Sequence, residues 1–227
     1  LTVEIELWRR VVKKSMLFLC PLIVLNLNLF AQTGQNSHIV HTTERSTIHV
    51  PSQDVPASLK TIYTNLGRKT NAYRDNAGEA IFGPGTGSTV FWAMPFTPKS
   101  NSHVSQVGVA VQYNDSGANQ VNLSIYGDSE GVPGTLLAGP VTVTNLPESA
   151  TCCTLAVAEF SPVSVIGGNQ YWVVADTPLT GTGSDFSGVW DFTVTPNYPQ
   201  AGNVGGGWFA FEGFAFKPAG EVLGTIP

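Results

Sequence analysis

The stretch Val121–Ala138, VNLSIYGDSEGVPGTLLA, decides the fold. Val121, Leu123 and Ile125 alternate with Asn122, Ser124 and Tyr126. Successive strand side chains point to opposite faces, so this is the pattern of a strand with one apolar and one wet side. Gly127-Asp128-Ser129-Glu130-Gly131 is too polar and glycine-rich to continue it. Pro133-Gly134 suits the two central positions of a type II turn, where proline presets the first φ and glycine supplies the positive second one. The stretch therefore predicts a strand, an acidic turn and a second strand running through Leu136-Leu137 to Val141–Val143.

The same grammar continues on both sides. Thr89–Phe96 is a dense apolar and aromatic run, and Val104–Tyr113 places Val107, Val109, Val111 and Tyr113 on one face. Leu155–Phe160, Gln170–Ala175, Val189–Val194 and Trp208–Phe216 follow, with Gly, Pro and Asn between them. About eight strands at short, regular spacing predict an all-β fold, an antiparallel two-sheet β-sandwich of jelly-roll-like form. No segment after the N-terminal region shows a long 3.6-residue period with caps, so almost no helix is expected.

Residues 1–31 read as a signal peptide. Arg9, Arg10, Lys13 and Lys14 precede an apolar run from Met16 to Phe30, which is shorter than the ~20 residues of a spanning helix and is followed by the small residue Ala31. The expected cut falls between Ala31 and Gln32, with an uncleaved anchor as the rival reading. A lipoprotein cut at Cys20 is disfavoured by the bulk of Leu19. Residues 32–58 read as a flexible polar linker, residues 59–217 as the sandwich domain and residues 218–227 as a short C-terminal tail. His38, His41 and His49 fall in the linker, where no rigid element would fix them around a metal.

The chain carries 11 Lys and Arg against 16 Asp and Glu, a net charge of −5, and loss of the leader makes it more acidic. That balance argues against nucleic acid, which needs a basic face, and against anionic membrane surfaces. No membrane span is expected after leader cleavage. Export predicts a secreted, extracellular or periplasmic location and makes cysteine oxidation plausible. Once Cys20 leaves with the leader, only the adjacent Cys152 and Cys153 remain. A vicinal disulfide is the favoured reading, with free thiols or a bond between chains as the alternatives.

Several motifs in order carry a family resemblance. They are NLG at Asn65–Gly67, then Tyr73 and Gly78, then SIYGDSEGVPGTLLA, the Cys-Cys pair, GGNQYWVV at Gly167–Val174, Trp190, and the aromatic–glycine end at Trp208–Phe216. The chain resembles the choice-of-anchor R domain, a bacterial extracellular module. The resemblance implies an exported β-sandwich of unknown activity without assigned catalytic residues. The sorting tail that gives that family its name is not among the residues after Phe216, KPAGEVLGTIP, which favours free release or periplasmic retention.

Candidate chemistry is sparse. His103 with Ser105 lacks a glycine-flanked serine elbow, so nucleophilic catalysis has little support. Asp176, Asp185 and Asp191 sit at expected strand ends near Trp172 and Trp190, the kind of acid pair and platform a glycosidase uses, but strand ends carry Asp for turns as well. No cofactor is required. Calcium is the one candidate, at Asp115 or at Asp128 with Glu130, since calcium wants several carboxylate and carbonyl oxygens; a solvated turn is the simpler reading. The aromatics are the best lead. Trp190, and Trp208 behind the flexible Gly205–Gly207 loop, are the candidates for ligand contact. The expected function is an exported non-catalytic module with a structural, adhesive or surface-interaction role. The alternative is a carbohydrate-binding, lectin-like module with exposed Trp side chains. An extracellular glycan or cell-surface component is the expected partner.

Overall fold

The computed structural model describes residues 39–41, 48–49, 58–67, 73–149, 154–178, 185–193, 200–211 and 217–227. The leader, Cys20, Cys152 and Cys153 lie outside them. The alternating segments fold as strands. In chain order these are β1 (Ile39–His41), β2 (Ile48–His49), β3 (Lys60–Thr64), β4 (Tyr73–Phe82) and β5 (Phe91–Phe96). Next come β6 (Ser102–Val109), β7 (Val111–Ser116), β8 (Gln120–Ser129), β9 (Val132–Thr144) and β10 (Ala156–Val165). The remaining strands are β11 (Tyr171–Asp176), β12 (Ser187–Thr193), β13 (Gln200–Asn203), β14 (Trp208–Phe211) and β15 (Gly220–Thr225). A 3-10 turn at Pro84–Thr86 is the helical element among the described residues.

The strands pair antiparallel into three sheets. One has the order β14-β13-β5-β11-β8-β9, a second β10-β6-β15-β3, and a third β1-β4-β12-β7 with β2 also on β4. The latter two meet where β6 runs on into β7. Val104–Tyr113, expected as one strand, breaks at Ala110, whose N–H donates to the Ala219 carbonyl (3.0 Å) and whose carbonyl accepts from Asp191 N–H (2.8 Å). Asp191 carbonyl in turn accepts from Ala219 N–H at 2.8 Å. The chain thus passes from β6 in one sheet to β7 in the other without leaving the layer. Residues of all three sheets meet in one core, including Ile81 and Trp190, Val107 and Val222, and Met94, Leu123 and Val173. The protein is an all-β sandwich, with one layer made of the six-stranded sheet.

Three expectations about the chain's organisation change. The acidic turn expected over Gly127–Gly131 narrows to Glu130-Gly131, where φ is +55° and +84°, and Pro133-Gly134, expected as a type II turn, lies inside β9. A two-residue hairpin of type I′ needs positive φ at both positions, and its twist matches that of the strands it joins. β8 accordingly continues through Asp128 and Ser129, with Ser129 paired to Val132. Second, part of the supposed linker is in the sheet, since β1 and β2 both pair with β4. Third, residues 218–227 are no tail. β15 lies between β6 and β3, with Val222 and Leu223 fully buried. Its alternating pattern is short and interrupted by Gly220 and Gly224, which is why it did not read as a strand.

The NLG motif explains how that last strand is held. Asn65 Nδ2 donates to the Pro218 carbonyl (2.8 Å), Asn65 Oδ1 accepts from Gly220 N–H (2.8 Å), and Asn65 N–H donates to the Gly220 carbonyl (3.1 Å). Thr193 Oγ1 donates to the Asn65 carbonyl. Gly78 has an equally local reason: a Cβ there would stand 2.3 Å from the Trp190 carbonyl oxygen.

Candidate functional site

Three of the described tryptophans are buried and use their indole N–H as ties. Trp92 Nε1 donates to the Ala80 carbonyl and Trp190 Nε1 to the Ala219 carbonyl, both at 2.9 Å. Trp172 Nε1 donates to Asp128 Oδ1 at 2.8 Å. The expectation that Trp190 contacts ligand is therefore corrected: it is fully buried in the core, where its large apolar area contributes most and its one donor is satisfied. Trp208 is half-buried at the start of β14.

Trp208 belongs to a second cluster on the other face of the six-stranded sheet. Along β5, β11 and β8 the odd or even partners of the core residues (Ala93, Trp172, Val174, Tyr126) turn to this face and are joined there by Ala201, Val132 and Trp208. The face was expected to be wet, yet Ser124 is 2% exposed and Asn122 9%. Register irregularities in the β8–β9 hairpin between Leu123 and Asp128 bend it, as bulges do. Strands β9 and β14, at opposite ends of the sheet order, consequently approach each other. On this face Ala93, Trp172, Val174 and Ala201 are fully covered, and Tyr126, Val132 and Trp208 pack half-buried against them.

Polar groups on this face are fixed in two places. At the hairpin tip Asp128 Oδ1 accepts from both Trp172 Nε1 and Gln170 Nε2 (2.7 Å), and its Oδ2 accepts from Gly131 N–H (3.2 Å). Slight burial pushes the Asp128 pKa up, but these three donors together draw it below the ordinary carboxylate value. At the far end Thr142 Oγ1 donates to Asn122 Oδ1 at 2.8 Å, which leaves the Asn122 amide group to hydrogen-bond Asp176. Burial raises Asp176 to about 6, with the Asn122 bond opposing the rise. Tyr126 is raised by burial and then by the nearby Asp176 charge. Asp176 was foreseen as a candidate acid; Tyr126 and Asn122 were read as ordinary wet-face residues because alternation does not reveal curvature.

The other expected sites do not assemble. Among the described residues no group of three or more His, Cys, Asp or Glu side chains is arranged to hold a metal ion. Of the calcium candidates, Asp128 accepts hydrogen bonds within the hairpin, and Asp115 and Glu130 are exposed turn residues with φ of +51° and +55°. Asp185 and Asp191 are buried, and Asp185 Oδ2 accepts from Gly85 N–H at 2.7 Å. His103 Nδ1 lies 3.2 Å from Ser164 Oγ on the exposed side of β6 and β10. A shallow groove of about 430 Å³ runs between edge strands β9 and β10, lined by Leu137, Val141, Phe160 and Pro162. Leu136 and Leu137 beside it are 45% and 40% exposed. No described helix is long and apolar enough to cross a membrane. Compared with protein-family models, curated proteins and solved structures, the chain matches none.

Proposed function

We propose that this chain is an exported, non-catalytic β-sandwich module with a structural, adhesive or surface-interaction role outside the cytoplasm. One observation carries the reading: the residues that make the sequence distinctive hold strands to strands. Asn65 fastens the last strand, Asp128 fastens Trp172, Trp92 ties the six-stranded sheet to β4, and Trp190 ties β12 to the start of β15. The surface role is supported by the exposed leucines of β9, a strand that carries no charged residue over Val132–Thr144. Exposed apolar edges of this kind mark contact surfaces.

The test is attachment of the labelled full chain to isolated bacterial cell walls, run beside a screen of chromogenic glycoside, ester and peptide substrates. Saturable attachment without turnover is expected. Turnover of any substrate, abolished by substitution of a single side chain, would contradict the non-catalytic reading. Export itself is tested by mass spectrometry of protein recovered outside the cytoplasm, with Gln32 as the expected first residue and Cys152 joined to Cys153.

The carbohydrate-binding reading stands second. Trp190 has no part in it. The half-buried Trp208 and Tyr126, on the same face of the six-stranded sheet as Asp176, favour it.

A further inference from the structure

We propose that the open edge of the sandwich between β9 and β10 is a self-association surface, on which a second copy of this chain docks across a two-fold axis. The inference rests on the reading of the chain as a surface-interaction module and names the partner of the surface that supports it.

Strand β9 ends the six-stranded sheet and β10 ends the sheet β10-β6-β15-β3. Among the described residues each pairs on one side, β9 with β8 and β10 with β6. Both edges lose register where they face each other, β9 between Ala138 and Val141 and β10 between Glu159 and Val163. The groove of about 430 Å³ opens between these two breaks. Ala138, Val141 and Phe160 line it and pack against the core behind. Leu137 lines it too, and both Leu137 and its neighbour Leu136 are largely exposed.

An isologous contact needs a patch that complements itself. This patch holds both halves of such a fit, two projecting leucines and an apolar hollow beside them. Charge points the same way. Groups near a two-fold axis meet their own copies, so a charge there is repelled by its like. β9 carries no charged residue over Val132–Thr144, in a chain of net charge −5. Two acidic copies repel each other as wholes, and along this strand they come together without opposed charges. Pro140 has no N–H, and the register break beside it interrupts the edge, so no continuous ladder is offered to a new strand. The contact is therefore made by side chains and closes as a pair, rather than adding strand after strand. Its size sets its strength. The strand is about 40 Å long and, over the ~10 Å between packed layers, presents roughly 400 Å² per copy. That suits a weak, reversible dimer with Kd on the order of 10 μM.

The test is sedimentation velocity of the chain recovered from outside the cytoplasm, with reductant present so that Cys152 and Cys153 link no chains. A monomer–dimer equilibrium is expected, tightening as salt screens the net charge. Leu137→Glu should weaken it at least ~100-fold, because two carboxylates then enter an apolar contact. Its Tm should match wild type, since Leu137 is exposed. Mixing Leu137→Glu with Leu137→Lys should recover the dimer through a charge pair across the axis. A chain that stays monomeric well above the expected Kd, polymers larger than a dimer, or a dimer that Leu137→Glu leaves intact overturns the inference. If the chain is monomeric but its cell-wall attachment is lost in Leu137→Glu, β9 takes a foreign partner: the dimer falls and the module reading stands. If neither dimer nor attachment is found, both fail.

Discussion

The indole of Trp172 and the carboxylate of Asp128 are joined by a 2.8 Å hydrogen bond that ties the tip of the β8–β9 hairpin to the middle of the six-stranded sheet. The two residues come from the two stretches most distinctive in the sequence, GDSEG and QYWVV. Asp128 is itself exposed, but Trp172 is not, so the cost of breaking the pair falls on the buried N–H. Asp128→Ala should destabilise the protein by about 1–3 kcal/mol, the penalty of an unsatisfied buried donor. Asp128→Asn, which keeps an acceptor, should lose less. Urea unfolding of the two variants checks this. The Asp128 pKa is depressed, so its contribution is present above the ordinary carboxylate value of 3.8 and disappears as pH falls through the lower folded value.

Asn65 is a second fastening with a sharper chemical signature. Its side chain donates to Pro218 and accepts from Gly220, both in a buried setting. Asn65→Ala should cost ~2–4 kcal/mol, because a carbonyl and an N–H are left without partners. Asn65→Asp keeps the acceptor but cannot donate when ionised, so at neutral pH it should be at least as damaging. Partial recovery of the Asp variant on acidification, measured by thermal unfolding, would identify the lost donor as the cause. Equal stability of Ala, Asp and wild type would contradict the fastening.

Glu79 makes the protein more stable in mild acid. It is fully buried, its Oε1 accepts from Gln200 Nε2 at 3.0 Å, and its Oε2 has no hydrogen-bond partner. Burial raises its pKa from 4.5 to about 7, with the Gln200 bond opposing the rise. The folded state therefore holds this proton more tightly than the unfolded state. Its stabilising effect is complete below 4.5 and is lost as pH rises to about 7. The change amounts to about 3 kcal/mol, or ~5–10 °C in Tm for a domain of this size. Asp176, raised to about 6, acts in the same direction over a lower window. Glu79→Gln should flatten most of the decline in Tm between roughly pH 5 and 8, and should be more stable than wild type at the upper end. A wild-type Tm that rises over this interval would refute the assignment.

Much of the fold was legible because it depends on alternation. The core residues Val121, Leu123 and Ile125, and Val107 and Val109, face where their spacing put them. What the sequence concealed has physical causes. The type I′ turn sits at Glu130-Gly131, and the Glu gave no signal of its positive φ while Pro133-Gly134 advertised a turn that the strand absorbs. β15 is short and glycine-interrupted, and its burial comes from neighbours distant in the chain. The covering of Trp172 and Ser124 on the sheet's other face leaves no mark in a two-residue period, which carries no trace of the bulges that bend the β8–β9 hairpin. Trp190 and Trp208 look alike in sequence; only the packing of β12 against β4 and β7 separates a core ring from a half-buried ring.

All of these readings require a single cooperative sandwich that includes its C-terminal segment. Native-state hydrogen exchange tests this most directly. The account predicts that the backbone amides of Val222 and Leu223 in β15, where they are paired, exchange as slowly as those of Val107 in β6 and Val173 in β11, through global unfolding alone. Fast exchange across Gly220–Thr225 while β6 and β11 stay protected would show a loose tail, and would contradict both the Asn65 fastening and the closed core.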